Sequence, residues 1–82
     1  MSTPKTTPRE QAVKLFPDIV IFSKKEFIAN RFTGEEIELE PEAVAVYDLI
    51  MGAEMFGMYK IVRKGLDWFK EYYPKEYLVL LD

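Results

Sequence analysis

The stretch MYKIVRKGLDWFKEYY, residues 58–73, decides the fold because its side chains separate by chemistry on an α-helix. At about 100° per residue from Met58, all of its charged side chains fall between about 120° and 240°. Apolar, aromatic and glycine residues occupy an arc of about 180° on the other side. The stretch therefore predicts an amphipathic helix, and Gly65 within the apolar arc indicates a close approach to a second element.

The segment before this stretch, residues 41–56, predicts the central helix of the fold. Pro41 suits a first helical position, and Gly57 supplies a stop. Apolar groups spread around almost the whole helix, interrupted beyond its first turn by Asp48 and Glu54. A helix of this kind is covered on several sides. Because only Gly57 and its neighbours separate the two helices, we expect them to pack as an antiparallel pair.

A β-hairpin is expected before the central helix. Residues 27–32 form its first predicted arm, Thr33 and Gly34 its turn, and residues 35–39 its second arm. In the second arm, isoleucine and leucine alternate with glutamates, which is typical of a half-buried strand. The predicted fold class is therefore α+β, a mostly helical small domain with a β-hairpin packed on an antiparallel helix pair.

The first residues of the chain differ from the rest. Residues 1–7 are largely polar and predict a flexible N-terminal tail, whereas residues 8–82 predict a single domain. The motif TPRE at residues 7–10 is a capping box, which predicts a short helix over residues 8–16.

Two short apolar runs leave alternatives open. Residues 19–23 fit either a buried strand or the entry to a helix, because periodicity does not separate these structures in so short a run. Residues 77–81 fit either a strand or the end of a helix that starts at Pro74, and we favour the helix.

Composition excludes several kinds of chemistry. The chain contains no cysteine and no histidine. This absence excludes disulfides, metal sites with thiolate or imidazole ligands, and nucleophiles that depend on cysteine or histidine. No catalytic constellation and no Gly-rich phosphate loop is present in the sequence. We expect a protein that is not an enzyme, with no catalytic residues, no cofactor-binding residues and no cofactor.

The glutamate-rich run at residues 35–42 first suggests a cation site, since Ca²⁺ prefers oxygen ligands. In a strand, alternate glutamates lie along one face about 7 Å apart, so they do not converge on one ion. We interpret the run as a solvated strand face and expect no metal site.

The apolar arc of residues 58–73 is wider than the stripe of about 100° that one core contact needs. Trp68 lies at one edge of the arc and Tyr59 at the other. Such side chains usually cover a small core, yet Trp and Tyr are also enriched in protein interfaces. We therefore expect a protein-interaction or self-associating protein, whose partner is another protein or a second copy of the chain. The candidate interface residues are Trp68, Tyr59, Tyr72, Tyr73, Ala45 and Gly52.

The alternative partner is nucleic acid, bound by a basic face of the same helix. The formal net charge is −3, and residues 34–57 hold seven acids and no base. This acidic middle opposes a positive field, and Asp67 and Glu71 interrupt the basic face itself. Nucleic acid is therefore the less favoured partner. The candidate basic face consists of Lys60, Arg63, Lys64 and Lys70.

Hydropathy indicates no contact with a membrane. No apolar run approaches the ~20 residues that cross a bilayer. Residues 1–10 are polar and lack the apolar core of a signal peptide. We expect a cytoplasmic protein with no membrane association.

Three stretches carry a resemblance to known proteins: residues 30–39 (NRFTGEEIEL), 45–48 (AVYD) and 64–69 (KGLDWF). They resemble small proteins of unknown function that tailed phages, marine ones among them, encode. The resemblance implies a phage-encoded accessory protein that binds host or virion proteins and is located in the host cytoplasm or the virion. It implies no activity and no site residues.

Overall fold

A computed structural model describes residues 7–81 of the chain. Within this part, four helices and one antiparallel hairpin form a small mostly helical domain, which confirms the predicted α+β class. Residues 1–6 of the predicted tail lie outside the described residues. The elements in chain order are α1 (Pro8–Leu15), β1 (Glu26–Ala29), β2 (Glu36–Leu39), α2 (Pro41–Met55), α3 (Tyr59–Tyr72) and α4 (Pro74–Leu80).

The turn between α2 and α3 is built on Gly57. Its φ of 68° lies in the left-handed region. The N–H of Met58 donates to the carbonyl of Ala53 at 2.8 Å, and the N–H of Gly57 donates to the carbonyl of Glu54 at 3.2 Å. These two bonds are those of a Schellman motif, which satisfies carbonyls that a helix end leaves without partners. The stop predicted at Gly57 is confirmed.

Beyond this turn, α3 returns along α2. Ile50 in α2 lies against Gly65 in α3, whereas Glu42 near the start of α2 meets Tyr73 just after α3. A Cβ atom added at Gly65 would lie 2.5 Å from Cγ1 of Ile50, so only glycine permits this approach without a shift. The predicted antiparallel pair and the close approach at Gly65 are confirmed.

The hairpin is shorter than the sequence predicts. β1 and β2 pair in antiparallel register over four residues each, so the first arm ends at Ala29 rather than at Phe32. The cause is Asn30. Its side-chain oxygen accepts hydrogen bonds from the N–H groups of Phe32 and Thr33 at 2.7 and 2.9 Å. These bonds curl residues 30–35 into the turn and end the strand.

The two short helices agree with the sequence. Oγ1 of Thr7 accepts a hydrogen bond from the N–H of Glu10 at 3.1 Å, so Thr7 caps α1 as predicted. α4 begins at Pro74, which decides the alternative at residues 77–81 in favour of the helix.

Residues 19–23 form neither of the two structures considered for them. Within the described residues the sheet consists of β1 and β2 alone, and this apolar run does not join it. It passes instead beside α2, where Ile19 lines a groove. The expectation of a strand or helix entry here was wrong: Ile19 and Ile21 are partly buried, whereas Val20 and Phe22 are exposed, so the run packs only in part and has no regular structure.

The core lies around α2, which buries residues on several sides as expected for a central helix. Among residues 7–81, each helix is too short or too polar to cross a membrane. The largest fully buried side chains are Trp68, Phe69, Leu39, Ile50 and Val46.

Candidate interaction surface

Trp68, one edge of the predicted interface arc, is a core residue with 2% of its surface exposed. Its indole N–H donates a 2.9 Å hydrogen bond to the carbonyl of Pro8 and so ties α3 to α1. The rings of Phe69 and Tyr73 have centroids 5.6 and 5.5 Å from that of the indole. The expectation of Trp68 as an interface residue was wrong, because α1 covers this edge of the arc within the chain.

Tyr72 and Tyr73 lie half-buried beside Trp68. The ring centroid of Tyr72 is 5.7 Å from that of Trp68. The hydroxyl of Tyr73 donates to Oε2 of Glu42 at 2.5 Å and links the end of α3 to the start of α2. Burial of the phenol, this hydrogen bond and the neighbouring carboxylates raise the pKa of Tyr73 above its ordinary value. Both tyrosines therefore belong to the aromatic cluster around Trp68, at the opposite end of α3 from Tyr59.

Tyr59, the other edge of the arc, is 73% exposed. It begins α3 directly after the turn at Gly57, and the residues on both sides of that glycine are exposed as well. The tip of the hairpin adds one more ring. We call this set the apolar end; its members are Phe32, Met55, Phe56, Met58 and Tyr59.

Arg31 brings the hairpin turn to the apolar end. Its Nη2 donates to Oε1 of Glu54 at 3.0 Å, and its Nη1 lies 3.7 Å from Sδ of Met51. The guanidinium carbon is 5.0 Å from the ring centroid of Phe32, a cation–π contact. A single side chain therefore fastens the exposed ring of Phe32 beside the last turn of α2, where Met55 lies.

Gly52 and Ala45 share one face of α2 because they are seven residues apart. Apart from its chain neighbours and its own helix backbone, no atom lies within 4 Å of the position that a Cβ on Gly52 would take. Ala45 instead lines a groove together with Phe22 and Asp48. Gly52 lies one turn before Phe56 on the same side of α2. The surface at Gly52, one of the candidate interface residues, is therefore open and lies beside the apolar end.

Two acids interrupt the apolar surface of α2 in different ways. Glu54 forms the ion pair with Arg31 described above. Asp48 has no ion pair within residues 7–81, and partial burial together with the charge of Glu26 raises the pKa of its carboxyl group. Folding therefore disfavours the charged form of Asp48.

The candidate basic face is divided. Lys60, Arg63 and Lys64 are exposed on the first two turns of α3. Nζ of Lys70 lies 5.3 Å from the ring centroid of Tyr77, a cation–π contact with α4. Neither of the two ion pairs within the described residues involves α3. All four side chains are exposed, and three of them lie near the start of α3, next to the apolar end.

Glu36 and Glu38 of β2 lie on the exposed face of the hairpin. Glu36 is opposite Ala29 in the register, and Glu38 is opposite Phe27. Among residues 7–81, no group of three or more acidic side chains is arranged to hold a metal ion.

Comparison with known proteins identifies no relative. No family model matches the chain, and no curated protein and no solved structure is significantly similar to it. No relative indicates a function for this chain, and the resemblance to phage proteins stays a prediction.

Four members of the apolar end were missed as interface candidates in the sequence: Phe32, Met55, Phe56 and Met58. A helical wheel shows apolar residues around the whole of α2 and so predicts that other elements cover it along its whole length. On that basis Met55 and Phe56 are expected in the core. Gly57 was the signal in the sequence. It ends α2 directly after Phe56, so the last side chains of this helix extend past the elements that pack on it. Nothing local predicted Phe32, whose position depends on the contact between Arg31 and Glu54.

Proposed function

We propose that this chain is a non-enzymatic interaction protein that binds another protein surface through the apolar end. The observation that carries the proposal is the exposure of five large apolar side chains, between 49% and 84%, at one end of a small domain. Single exposed apolar residues are common on soluble proteins, whereas a contiguous patch marks a contact surface.

The size of the apolar end supports the same proposal. With about 200 Å² per ring, its three aromatic side chains, which are 73–84% exposed, present about 500 Å² to solvent. The largest apolar patches on monomeric proteins are about 300–600 Å² and are often functional. The two methionines add a flexible surface that adapts to the contour of a partner.

Nucleic acid is the second candidate partner. Three bases near the start of α3 are exposed and take part in neither ion pair of the described residues. A titration with DNA and RNA at rising salt tests this candidate, because binding to phosphates weakens steeply as salt displaces the protein. Binding that persists unchanged from low to high salt would contradict it.

The proposal includes a phage origin, supported by the resemblance of residues 30–39, 45–48 and 64–69. In this view the protein is an accessory protein of the host cytoplasm or the virion. The genes beside this one test the origin. We expect virion, replication or lysis genes there, and a neighbourhood of bacterial housekeeping genes would contradict it.

Site-specific photo-crosslinking tests the proposed surface. A photoreactive phenylalanine analogue replaces Phe56 in one variant and Phe22 in a control, and the cells in which the gene occurs express each variant. The two phenylalanines are 79% and 77% exposed, but Phe22 lies beside the first half of α2, away from the apolar end. We expect protein adducts from position 56 and not from position 22.

Two results would overturn the proposal. The first is that position 56 gives no protein adduct. The second is that positions 56 and 22 give the same adducts at the same yield, which indicates nonspecific contact with any exposed ring.

A further inference from the structure

The register of the hairpin determines which main-chain groups of β1 point away from β2. The N–H of Asn30 donates to the carbonyl of Glu35 at 2.8 Å, so Asn30 bonds toward the second arm. Positions that bond to the partner strand alternate with positions that do not, in every antiparallel pair. The N–H and C=O groups of Phe27 and Ala29 therefore point outward, along the edge of β1 that faces away from β2.

This outer edge of β1 is open. Its outward N–H and C=O groups have no hydrogen-bond partner within residues 7–81. Both Phe27 and Ala29 are exposed, whereas α4 packs against β2. Unpaired groups at a sheet edge are a template for another strand, and charged residues, prolines or bulges usually protect them. The stretch FIA at residues 27–29 contains neither a charge nor a proline, and its register with β2 has no bulge.

We propose that β1 of a second copy pairs with this open edge, antiparallel and about a twofold axis, so that the two hairpins form one four-stranded sheet. β1 complements itself in the register that is centred on Ile28. Phe27 of each copy then lies opposite Ala29 of the other, and the two residues exchange both main-chain hydrogen bonds. Symmetry repeats this pair, so every outward group of Phe27 and Ala29 gains a partner. This inference goes beyond the proposed function, because β1 is not part of the apolar end.

The side chains of β1 fit the same register. Residues that lie opposite each other in an antiparallel pair share a face of the sheet, where their side chains interact. Phe27, which is 68% exposed in the single chain, meets Ala29 of the second copy, whose small side chain leaves room for the ring. On the other face, Ile28 meets the same residue of the second copy, which gives a pair of β-branched side chains at the axis.

The charges at the two ends of β1 permit this pairing. Lys25 of one copy comes near Arg31 of the other, but each of these bases already has an acid of its own chain. Nζ of Lys25 lies 3.3 Å from Oε1 of Glu40, and Nη2 of Arg31 lies 3.0 Å from Oε1 of Glu54. The glutamates of β2 are separated from the second copy by β1. The new strand pair therefore brings no unpaired like charges together.

Sedimentation equilibrium of the full chain tests the dimer. We expect a dissociation constant of about 0.1–1 mM, because one short strand pair buries less than the ~800 Å² per partner of a standard interface. Ala29→Pro removes the outward N–H and leaves every bond between β1 and β2 in place, since proline is tolerated at an edge position of this kind. It should raise the dissociation constant at least about tenfold. Ala29→Ser keeps the N–H and is the matched control, for which we expect an unchanged dissociation constant.

Cysteine cross-linking tests the register. The chain has no cysteine, so Ile28→Cys gives each copy a single thiol. At the twofold axis the two Cα atoms are about 4.5 Å apart, within the range that a disulfide spans. Ile37→Cys is the matched control, because Ile37 lies opposite Ile28 on the same face and is also half-buried. In the four-stranded sheet the two copies of position 37 are three strand spacings, or about 14 Å, apart. Mild oxidation with diamide should therefore give disulfide-linked dimers from position 28 and none from position 37.

Three results would overturn the pairing of β1. They are a wild-type chain that stays monomeric at about 1 mM, a dimer that Ala29→Pro leaves unchanged, and equal disulfide formation from positions 28 and 37. A dimer that Phe56→Ser weakens and Ala29→Pro does not would also overturn it, and would instead support the proposed function with a second copy at the apolar end. Far-UV circular dichroism confirms that each variant is folded before its association is measured.

Discussion

The side-chain amide of Asn30 donates a 2.7 Å hydrogen bond to the main-chain carbonyl of Val79, 49 residues later in the chain. Val79 belongs to the last turn of α4, where carbonyls lack partners within the helix. The other atom of the amide, its oxygen, holds the hairpin turn. One buried side chain therefore shapes the turn that carries Phe32 and fastens it to α4.

Asn30→Asp should destabilise the protein by about 1–3 kcal/mol, the cost of a buried group left without its hydrogen bond. The carboxylate still accepts hydrogen bonds from Phe32 and Thr33. It cannot donate to the carbonyl of Val79, however, and it places a carboxylate oxygen against that carbonyl oxygen. Urea unfolding at neutral pH measures the change. If unfolding free energy stays within about 0.3 kcal/mol of the wild type, the bond to Val79 contributes nothing to the fold.

Gly65→Ala should destabilise the protein although alanine is the better helix former. The added methyl group meets Cγ1 of Ile50 at 2.5 Å and Cδ1 at 2.9 Å. We expect a net loss of about 1–2 kcal/mol, since overpacking exceeds the gain in helix propensity. Thermal and urea unfolding at low protein concentration measure it.

Gly52→Ala is the matched control, because it makes the same change in α2 with no atom of another element nearby. It should stabilise the monomer by up to about 1 kcal/mol through helix propensity alone. Equal effects of the two substitutions, in either direction, would contradict the packing described for α2 and α3.

Tyr73→Phe should flatten the loss of stability at alkaline pH. The raised pKa of Tyr73 means that the folded protein holds this proton more tightly than the unfolded chain. Its contribution is complete below pH ~10, the ordinary tyrosine value, and declines as pH rises above it. At neutral pH the variant loses the bond to Glu42 and should be about 1–2 kcal/mol less stable. Urea unfolding from pH 7 to pH 11 measures both effects. A difference in unfolding free energy between the wild type and the variant that stays constant with pH would contradict the raised pKa of Tyr73.

Asp48→Asn should stabilise the protein slightly at pH 7, by no more than about 0.5 kcal/mol, as is usual for an accessible position. The raised pKa of Asp48 shows that folding disfavours its charged form. The wild type therefore loses stability as pH rises through the folded pKa, whereas the variant does not. The advantage should vanish below pH ~3, where the carboxyl is protonated in both states. If the variant is still more stable than the wild type below pH ~3, the difference in stability does not come from the charge of Asp48.

The helices and their pairing were predictable because their signals are local. Residues 58–73 separate charged from apolar side chains, prolines mark the helix starts, and Gly57 marks a stop that a Schellman motif confirms. The close approach at Gly65 followed from a glycine inside an apolar arc. Each of these features depends on a few neighbouring residues, so the sequence alone carries it.

The hairpin boundary and the surface were less predictable because they depend on contacts between distant residues. Asn30 ends the first arm by accepting hydrogen bonds from Phe32 and Thr33, and its side chain is held in place by a separate bond to Val79 of α4. Trp68 lies in the core because Pro8, 60 residues earlier, accepts its hydrogen bond. The helical wheel separated the charged and apolar side chains of α3 correctly. It could not show which edge of the apolar arc another element covers. Of the two edges, only Tyr59 remains on the surface.

Hydroxyl-radical footprinting at low and high protein concentration tests whether the apolar end is a contact surface. Met55, Phe56 and Tyr59 are reactive residues of this surface, and Phe22 is an equally exposed reference. We expect oxidation of the first three to fall several-fold as concentration rises or the natural partner is added, while oxidation of Phe22 stays constant. If the apolar end is oxidised as strongly as Phe22 under every condition, it is not a contact surface.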